Sequence, residues 1–339
     1  MSTCATASLQ AAEPLAGTAA TARTWLLIEQ TGPWGAQALT QSHLDPGVGR
    51  ALEAAAEGTG VRVALIRRPG RHADCHEVSR NRLFVAHTAP GRSWIRTTVA
   101  DPRAALDLDF AALGAGEHHG LWEPYSGAPL ALVCTNGKRD RCCALQGRPL
   151  AAELATTGAE AWEITHIGGH RFSPTLLVLP YGYAYGRASA PLVKDALEAA
   201  HHGRIALDQC RGRSAWDRPA QAADLAVREL IREDRADALD VVRTDPAAAP
   251  DPADPEHPSP AWAVTVAHAD GRTWRVTVEQ RADGAPAPAS CGAPLGPPAR
   301  IAVTSVTAVA TPATGDMPRT GTGAETGAET GAGTTAAHG

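Results

Sequence analysis

Residues 130–166 read LALVCTNGKRDRCCALQGRPLAAELATTGAEAWEITH, and their pattern is the strongest indication of the fold. The apolar run at 130–133 predicts a strand, residues 149–155 predict a helix that starts at a proline, and 162–165 predict a second strand. Strand, helix and strand in this order form a βαβ unit. Farther along, residues 175–179 and 183–187 predict two strands joined by a turn at Gly182, and 191–202 predict a closing helix.

The same order of elements occurs earlier in the chain. Residues 25–30 (WLLIEQ) and 61–66 (VRVALI) predict strands on either side of a helix at 45–57. Strands at 82–87 and 94–99 then precede a helix at 102–113. A βαβ unit followed by two strands and a helix is the order of the thioredoxin fold. The sequence therefore predicts an α/β protein with two tandem thioredoxin-like halves, at 23–125 and 126–235.

The two ends and the last third of the chain show different patterns. Residues 1–22 are rich in Ala and Thr, and residues 311–339 contain TGAET repeats, so both are expected to be disordered tails. A helix at 221–233 and a strand at 239–243 are expected before a Pro-rich linker at 244–260. Segments 261–268, 272–279 and 301–309 predict a small β appendage at 261–310.

Composition and charge exclude several classes of protein. The net charge is −5, and no long basic run offers a surface for nucleic acid. No stretch approaches the roughly 18 apolar residues of a membrane helix, and the first 22 residues lack the pattern of a secretory signal. We therefore expect a cytoplasmic protein whose seven cysteines serve metal binding or catalysis rather than disulfides.

Potential metal ligands follow two neighbouring strands of the second half. They are Cys134, the vicinal Cys142 and Cys143, and the later His166 and His170. The Gly168–Gly169 pair favours a loop, rather than a helix, between the two histidines. Two thiolates and two imidazoles suit zinc or an iron–sulfur cluster, and the ligand types alone do not choose between them.

The spacing of these residues argues against three familiar sites. Structural zinc fingers usually place their cysteines closer together than Cys134 and Cys142. A Rieske centre uses Cys-x-His pairs, which this segment lacks. A dithiol redox pair of Cys134 with Cys142 or Cys143 would lack C-x-x-C spacing and leave the histidines without a role. A structural zinc site and a dithiol oxidoreductase nevertheless stay the alternatives to an iron–sulfur protein.

Two segments of the chain resemble the sucrase/ferredoxin-like family. They are CTNGKRDRCCALQGRPLA at 134–151 and WEITHIGGHRFSPTLLVLPYGYAYGR at 162–187, and the resemblance extends over roughly 23–232. The family implies a thioredoxin-like ferredoxin that carries a non-Rieske [2Fe–2S] cluster with two cysteine and two histidine ligands. It implies an electron carrier rather than an enzyme.

Carried over to this chain, the resemblance implies a ligand set: Cys134, Cys143, His166 and His170, with Cys142 as the alternative to Cys143. The family's second cysteine precedes a small residue, which fits Cys143 before Ala144. Neutral imidazoles in place of two thiolates make the oxidised cluster less negative, so we expect a potential above the roughly −400 mV of plant-type ferredoxins. Because imidazole titrates, electron uptake is expected to be coupled to proton uptake.

Other residues near the ligands have two expected roles. Those expected to support the cluster loops are Arg139, Asp140, Gly168 and Gly169. Those expected to attract an acidic redox partner, such as a flavoprotein or a ferredoxin-type protein, are Lys138, Arg141, Arg148, Arg171 and Arg187. Cys75, in the first half, is interpreted as a thiol without a redox role.

Overall fold

The computed structural model describes residues 3–70, 80–249 and 259–309. Cys75, the tail expected at 311–339 and part of the predicted linker lie outside the described residues. A ten-stranded mixed sheet and a four-stranded antiparallel sheet, with helices packed on them, confirm the predicted α/β class.

The first half of the chain supplies five strands of the large sheet. They are β1 (Thr24–Glu29), β2 (Val61–Arg67), β3 (Asn81–His87), β4 (Trp94–Ala100) and the short β5 (Glu123–Pro124). The helices are α1 (Cys4–Gln10), α2 (Pro46–Ala56) and α3 (Phe110–Ala115), with a 3-10 turn at Pro102–Asp107. Strand β1 pairs in parallel with β2 and antiparallel with β3, which pairs with β4, so the order is β2-β1-β3-β4.

The second half repeats this pattern. Its strands are β6 (Leu130–Cys134), β7 (Ala161–Ile164), β8 (Leu176–Leu179), β9 (Tyr183–Tyr185) and β10 (Cys210–Arg213). Its helices are α4 (Arg148–Ala155), α5 (Ala190–His201) and α6 (Arg218–Ile231), with a π-helical turn at Cys143–Gly147 and a 3-10 turn at His170–Phe172. The order β7-β6-β8-β9 has the strand directions of the first half, and β2 pairs antiparallel with β7 to join the halves. The thioredoxin-like assignment stays a prediction.

The prediction of a single helix at 102–113 is wrong, because this segment forms a 3-10 turn followed by α3. Leu108 between them is extended, with φ −76° and ψ 140°. Asp109 then caps α3, since its carboxylate accepts a hydrogen bond from the Ala112 N–H at 2.9 Å. An aspartate inside an apolar pattern thus starts a new helix here.

Residues 3–22 are structured, whereas a disordered tail was expected at 1–22. Thr3 caps α1 by accepting a hydrogen bond from the Thr6 N–H, and Cys4 and Ala5 are buried. Later in the segment, the Ala22 N–H donates to the carbonyl oxygen of Ser214 at 2.7 Å. Small side chains give little periodic hydrophobicity in sequence, yet they allow such close packing.

The C-terminal sheet is larger than the predicted appendage. Its strands and an adjoining hairpin are β11 (Leu239–Ala249), β12 (Ser259–His268), β13 (Thr273–Arg281), β14 (Ala287–Pro288), β15 (Leu295–Gly296) and β16 (Arg300–Val309). The order is β11-β12-β13-β16, while β14 and β15 form a separate two-stranded sheet. Residues 244–249 belong to β11, so this part of the expected linker is a strand. Pro246 is compatible with pairing because β11 is an edge strand.

Helix α6, expected at 221–233, packs against the C-terminal sheet. Its Ala222, Ala223 and Val227 share an apolar core with Val264 and Val276 of β12 and β13. Small residues on this face of α6 let the sheet approach closely. None of the described helices is long and apolar enough to span a membrane.

Candidate metal centre

Cys134 and His166 lie at the ends of two neighbouring strands. Cys134 is the last residue of β6 and is in register with Ile164, the last residue of β7. Because β6 and β7 run parallel, the residues that follow them emerge at the same edge of the sheet. His166 comes two residues after Ile164, so its imidazole reaches the Cys134 thiol.

Cys134, Cys143 and His166 form what we call the first group of potential metal ligands. Their ligand atoms all lie within 4.8 Å of one another, and both thiols are fully buried. A hydrogen bond with Cys143, aided by His166 and the Ile167 N–H, holds the pKa of Cys134 well below its ordinary value. The same hydrogen bond and burial raise the pKa of Cys143. A bound cation would allow both thiols to ionise together.

His170 lies beside the first group. Its ring centroid is 5.1 Å from that of His166. Its Nε2 lies 2.9 Å from the carbonyl oxygen of Ala289 and 3.6 Å from Oδ2 of Asp140. Because a carbonyl only accepts hydrogen bonds, Nε2 carries the proton and Nδ1 keeps its lone pair. Burial lowers the pKa of His170, which favours this neutral form.

Two imidazole nitrogens, one in the first group and one beside it, lack partners. Nδ1 of His166 and Nδ1 of His170 are both buried, and neither has a hydrogen-bond partner among the described residues. A buried polar atom without a partner costs free energy, so such atoms often face a ligand or metal. Two thiols and two open imidazole nitrogens fit a zinc ion or a [2Fe–2S] cluster.

Two arginines hold residues 166–170, which we call the histidine loop. Neither arginine was predicted from the sequence. Arg62 Nη2 donates to the carbonyl oxygen of His166 at 2.9 Å, and Arg211 Nη1 donates to that of Gly168 at 3.2 Å. Gly168 and Gly169 have φ values of +81° and +73°, a left-handed backbone that glycine adopts without steric cost. The loop predicted between the histidines is therefore confirmed.

Asp140 and Gly147 shape the segment 135–147 between β6 and α4, which we call the cysteine loop. Oδ1 of Asp140 accepts a hydrogen bond from the Cys142 N–H at 2.8 Å. Gly147 lies so close to β6 that an added Cβ would be 2.1 Å from the carbonyl oxygen of Cys134. Asp140 pairs with His170 rather than with Arg139, which is exposed. Of these two expected supports, Asp140 is the one bonded to the loop.

More than half of the chain matches a known protein family. A family model described as sucrase/ferredoxin-like covers residues 15–212. The chain belongs to the sucrase/ferredoxin-like family. All four expected cluster ligands lie inside the matched segment. No curated protein and no solved structure gives a significant match to the chain.

This sucrase/ferredoxin-like protein has a second group of potential ligands, formed by Cys4, Asp140, Cys142 and Cys291. The vicinal cysteines are thus divided, since Cys143 lies with Cys134 and Cys142 lies in the second group. Sequence analysis gave no role to Cys4 or Cys291. Neither has another cysteine or histidine near it in sequence, so no local spacing could have revealed the group.

The residues expected to dock a partner fall into two sets. Lys138, Arg141 and Arg148 are exposed. Arg171 Nε instead donates to Oε1 of Glu13 at 2.7 Å, and Arg187 Nη2 donates to the Glu13 carbonyl oxygen at 2.8 Å. These last two arginines therefore hold the amino-terminal segment in place.

Proposed function

We propose that this protein is an electron carrier whose Cys134, Cys143, His166 and His170 hold one [2Fe–2S] cluster. The observation that carries the proposal is the meeting of two buried thiols with His166, beside which His170 places a second buried imidazole nitrogen without a described hydrogen-bond partner. Membership of a family described as sucrase/ferredoxin-like supports iron–sulfur chemistry. When bound, such a cluster accepts and releases one electron.

The first group together with His170 would give the cluster a low net charge and surroundings that exclude water. Two neutral imidazoles make the ligand set less negative than four thiolates, which favours a potential above about −400 mV. Cys134 and Cys143 belong to an apolar cluster that includes Trp162 and Ile167, which keeps water from the sulfurs. Coupling of electron uptake to proton uptake stays a prediction.

Reduced cysteines are a condition of this proposal. The six described cysteines are free thiols. We propose the cytoplasm as the location, because thiols stay reduced there.

Exposed cations beside the cysteine loop suit an acidic partner. Lys138, Arg141 and Arg148 flank Leu145 in sequence, and Leu145 is 51% exposed. We propose that this surface docks an acidic flavoprotein or a ferredoxin-type protein. The association rate should fall as ionic strength rises, and Arg141→Glu should lower it further. A rate that responds to neither change would remove this surface from the proposal.

A single zinc ion is the second candidate for the same residues. The ligand atoms of the first group all lie within 4.8 Å of one another, which one tetrahedral ion can also span. Zinc would make the protein a binding module with a structural metal. A dithiol oxidoreductase is less well supported, because Cys134 and Cys143 are fully buried and a disulfide substrate needs access to a thiolate.

Reductive titration and pulsed EPR test the electron-carrier proposal. Anaerobically purified protein should be coloured and take up about one electron per chain, giving a paramagnetic reduced state. Labelling with ¹⁵N-histidine should reveal coupling to two imidazole nitrogens, and His170→Cys should remove one coupling. A colourless protein with zinc bound at the first group would support the zinc candidate instead.

A further inference from the structure

We propose that the second group, formed by Cys4, Asp140, Cys142 and Cys291, binds one zinc ion at a site separate from the first group. The Sγ atoms form a triangle: Cys4 to Cys142 is 3.4 Å, Cys4 to Cys291 is 3.6 Å, and Cys142 to Cys291 is 3.2 Å. Tetrahedral zinc with Zn–S bonds of about 2.3 Å holds its sulfurs about 3.8 Å apart. The triangle therefore needs only a slight expansion to accept the ion.

Asp140 completes the ligand set of the second group. Its two carboxylate oxygens each lie 3.9 Å from Sγ of Cys4. Oδ1 accepts the Cys142 N–H at 2.8 Å and Oδ2 accepts the Cys291 N–H at 3.0 Å, so the carboxylate orients two of the three cysteines. Carboxylate oxygen is an ordinary zinc ligand beside thiolates.

The charge of Asp140 also favours a cation at this place. Asp140 is 4% exposed, and among the described residues the one basic side chain paired with it is His170, at 3.6 Å, whose imidazole is neutral. A buried carboxylate that faces three thiols is costly without a positive charge. A divalent ion would neutralise the carboxylate and stabilise the thiolates at the same time.

The three sulfurs come from segments that are far apart in the chain. Cys4 opens α1, Cys142 lies in the cysteine loop, and Cys291 lies between β14 and β15. Cys4 and Cys291 are outside residues 15–212, the segment matched by the family model. Membership of the family therefore does not assign this site. Zinc would link these segments, as it does in structural zinc sites.

Zinc fits the second group better than two other uses of thiols. A disulfide would join two sulfurs, leave the third unpaired beside Asp140, and require an external oxidant. A [4Fe–4S] cluster binds each cysteine to a different iron, so it needs sulfurs farther apart than 3.2–3.6 Å. Zinc needs no electrons, because up to three thiol protons leave as Zn²⁺ binds.

The second group lies close to His170, the imidazole beside the first group. Ala289, two residues before Cys291, accepts the hydrogen bond from Nε2 of His170 at 2.9 Å. A zinc ion at Cys291 would restrain the loop that carries this carbonyl. We therefore assign the zinc a structural role, separate from electron transfer.

Zinc K-edge EXAFS on the full-length protein tests the site without any substitution. Protein purified anaerobically and supplied with zinc alone should hold about one zinc per chain in a shell of three sulfurs and one oxygen. A shell of two sulfurs and two nitrogens, or a protein that holds no zinc, would overturn the proposal. Iron and sulfide measured on the same sample report on the first group, so failure of the proposed function is recorded separately.

Substitutions then locate the ion. Cys4→Ser and Cys291→Ser should each weaken zinc binding by about tenfold or more, with iron content and visible absorption unchanged. Cys210→Ala, which removes a buried thiol outside both groups, is the matched control and should keep its zinc. Equal loss of zinc in the control, or zinc retained in the Cys4→Ser/Cys291→Ser double variant, would contradict the site. So would a Cys4–Cys291 disulfide found by mass spectrometry after anaerobic alkylation.

Discussion

The first and second groups lie side by side but are built in different ways. The first group stands at the ends of two paired strands, β6 and β7, inside the segment that matches the family. The second group joins α1, the cysteine loop and the β14–β15 loop, and two of its cysteines lie outside that segment. Cys142 and Cys143 are neighbours in sequence, yet each serves a different group. Adjacent cysteines therefore do not imply a shared metal.

Serine substitutions of the two vicinal cysteines, made one at a time, should give the largest effect. Cys143→Ser removes a thiolate of the first group, so iron, sulfide and visible absorption should fall by about tenfold or more. Cys142→Ser should keep them and lose zinc instead. Metal analysis and visible spectra of the two variants measure both outcomes. Loss of iron from both variants, or from Cys142→Ser alone, would contradict the division of the vicinal pair.

Asp140→Asn should affect both metal sites, because Asp140 belongs to the second group and lies 3.6 Å from His170, the expected ligand beside the first group. The amide keeps an acceptor for one loop N–H but loses the negative charge that faces His170 and the three thiols. Removal of such a partner typically lowers metal affinity by about 10–100-fold. Chelator competition should show weaker binding of zinc and of iron. An unchanged zinc affinity would remove Asp140 from the second group.

Arg211→Met should speed the release of iron while zinc stays bound. This is the reverse of the effect expected for Cys142→Ser. Arg211 is fully buried and donates to the carbonyl oxygens of Thr18 and Gly168. The variant leaves both acceptors unsatisfied, and Gly168 lies in the histidine loop. We expect a loss of roughly 2–3 kcal/mol in unfolding free energy and faster release of iron, with zinc unchanged.

Arg213→Met is the matched control for Arg211→Met. Arg213 is also fully buried, but it bonds to the carbonyl oxygens of Thr88 and Ala236, away from the histidine loop. Urea unfolding and the rate of iron release to a chelator should show similar destabilisation with a smaller change in iron release. Equal iron release from both variants would show that loss of stability alone explains the effect.

His87→Gln should leave both groups unchanged and alter only acid stability. Burial, with nearby Arg92, lowers the pKa of His87 from 6.5 to about 4, and Thr24 Oγ1 lies 2.8 Å from Nδ1. Between these pH values the unfolded chain binds a proton that the folded chain does not, so stability present above pH 6.5 is lost as pH falls towards 4. The contribution is on the order of 3 kcal/mol.

Unfolding free energies in urea at pH 7.5 and pH 5 measure the His87 effect. The variant should lose less stability than the natural protein between these two pH values. Equal losses in the two proteins would contradict the lowered pKa, and a change in iron or zinc content would show that the first half influences the metal sites.

The succession of strands and helices along the chain and the proximity of Cys134 to His166 were accessible to sequence reasoning for the same reason. Apolar runs such as 130–133 predict buried strands, and strand ends of a parallel pair meet at one edge, which places Cys134 near His166. Strand β10 was not predicted, because its sequence CRGR reads as polar and exposed. In the structure, carbonyl oxygens accept the hydrogen bonds of Arg211 and Arg213, so their burial is compensated.

The second group could not be predicted from local pattern. Cys4 lies in a segment rich in Ala and Thr, and Cys291 lies 287 residues later in a segment rich in Pro and Gly. Contacts over such a separation depend on how the C-terminal sheet packs, which leaves no periodicity near either cysteine. The choice between Cys142 and Cys143 was open for a similar reason, since it depends on the direction of each thiol in the folded loop.

Iron, sulfide and zinc analysis of the anaerobically purified protein, with its visible spectrum, distinguishes an iron–sulfur cluster from zinc. We predict a coloured protein with about two irons and two sulfides per chain at the first group, and about one zinc at the second. A colourless protein without iron and sulfide, even after reconstitution, would contradict the electron-carrier function.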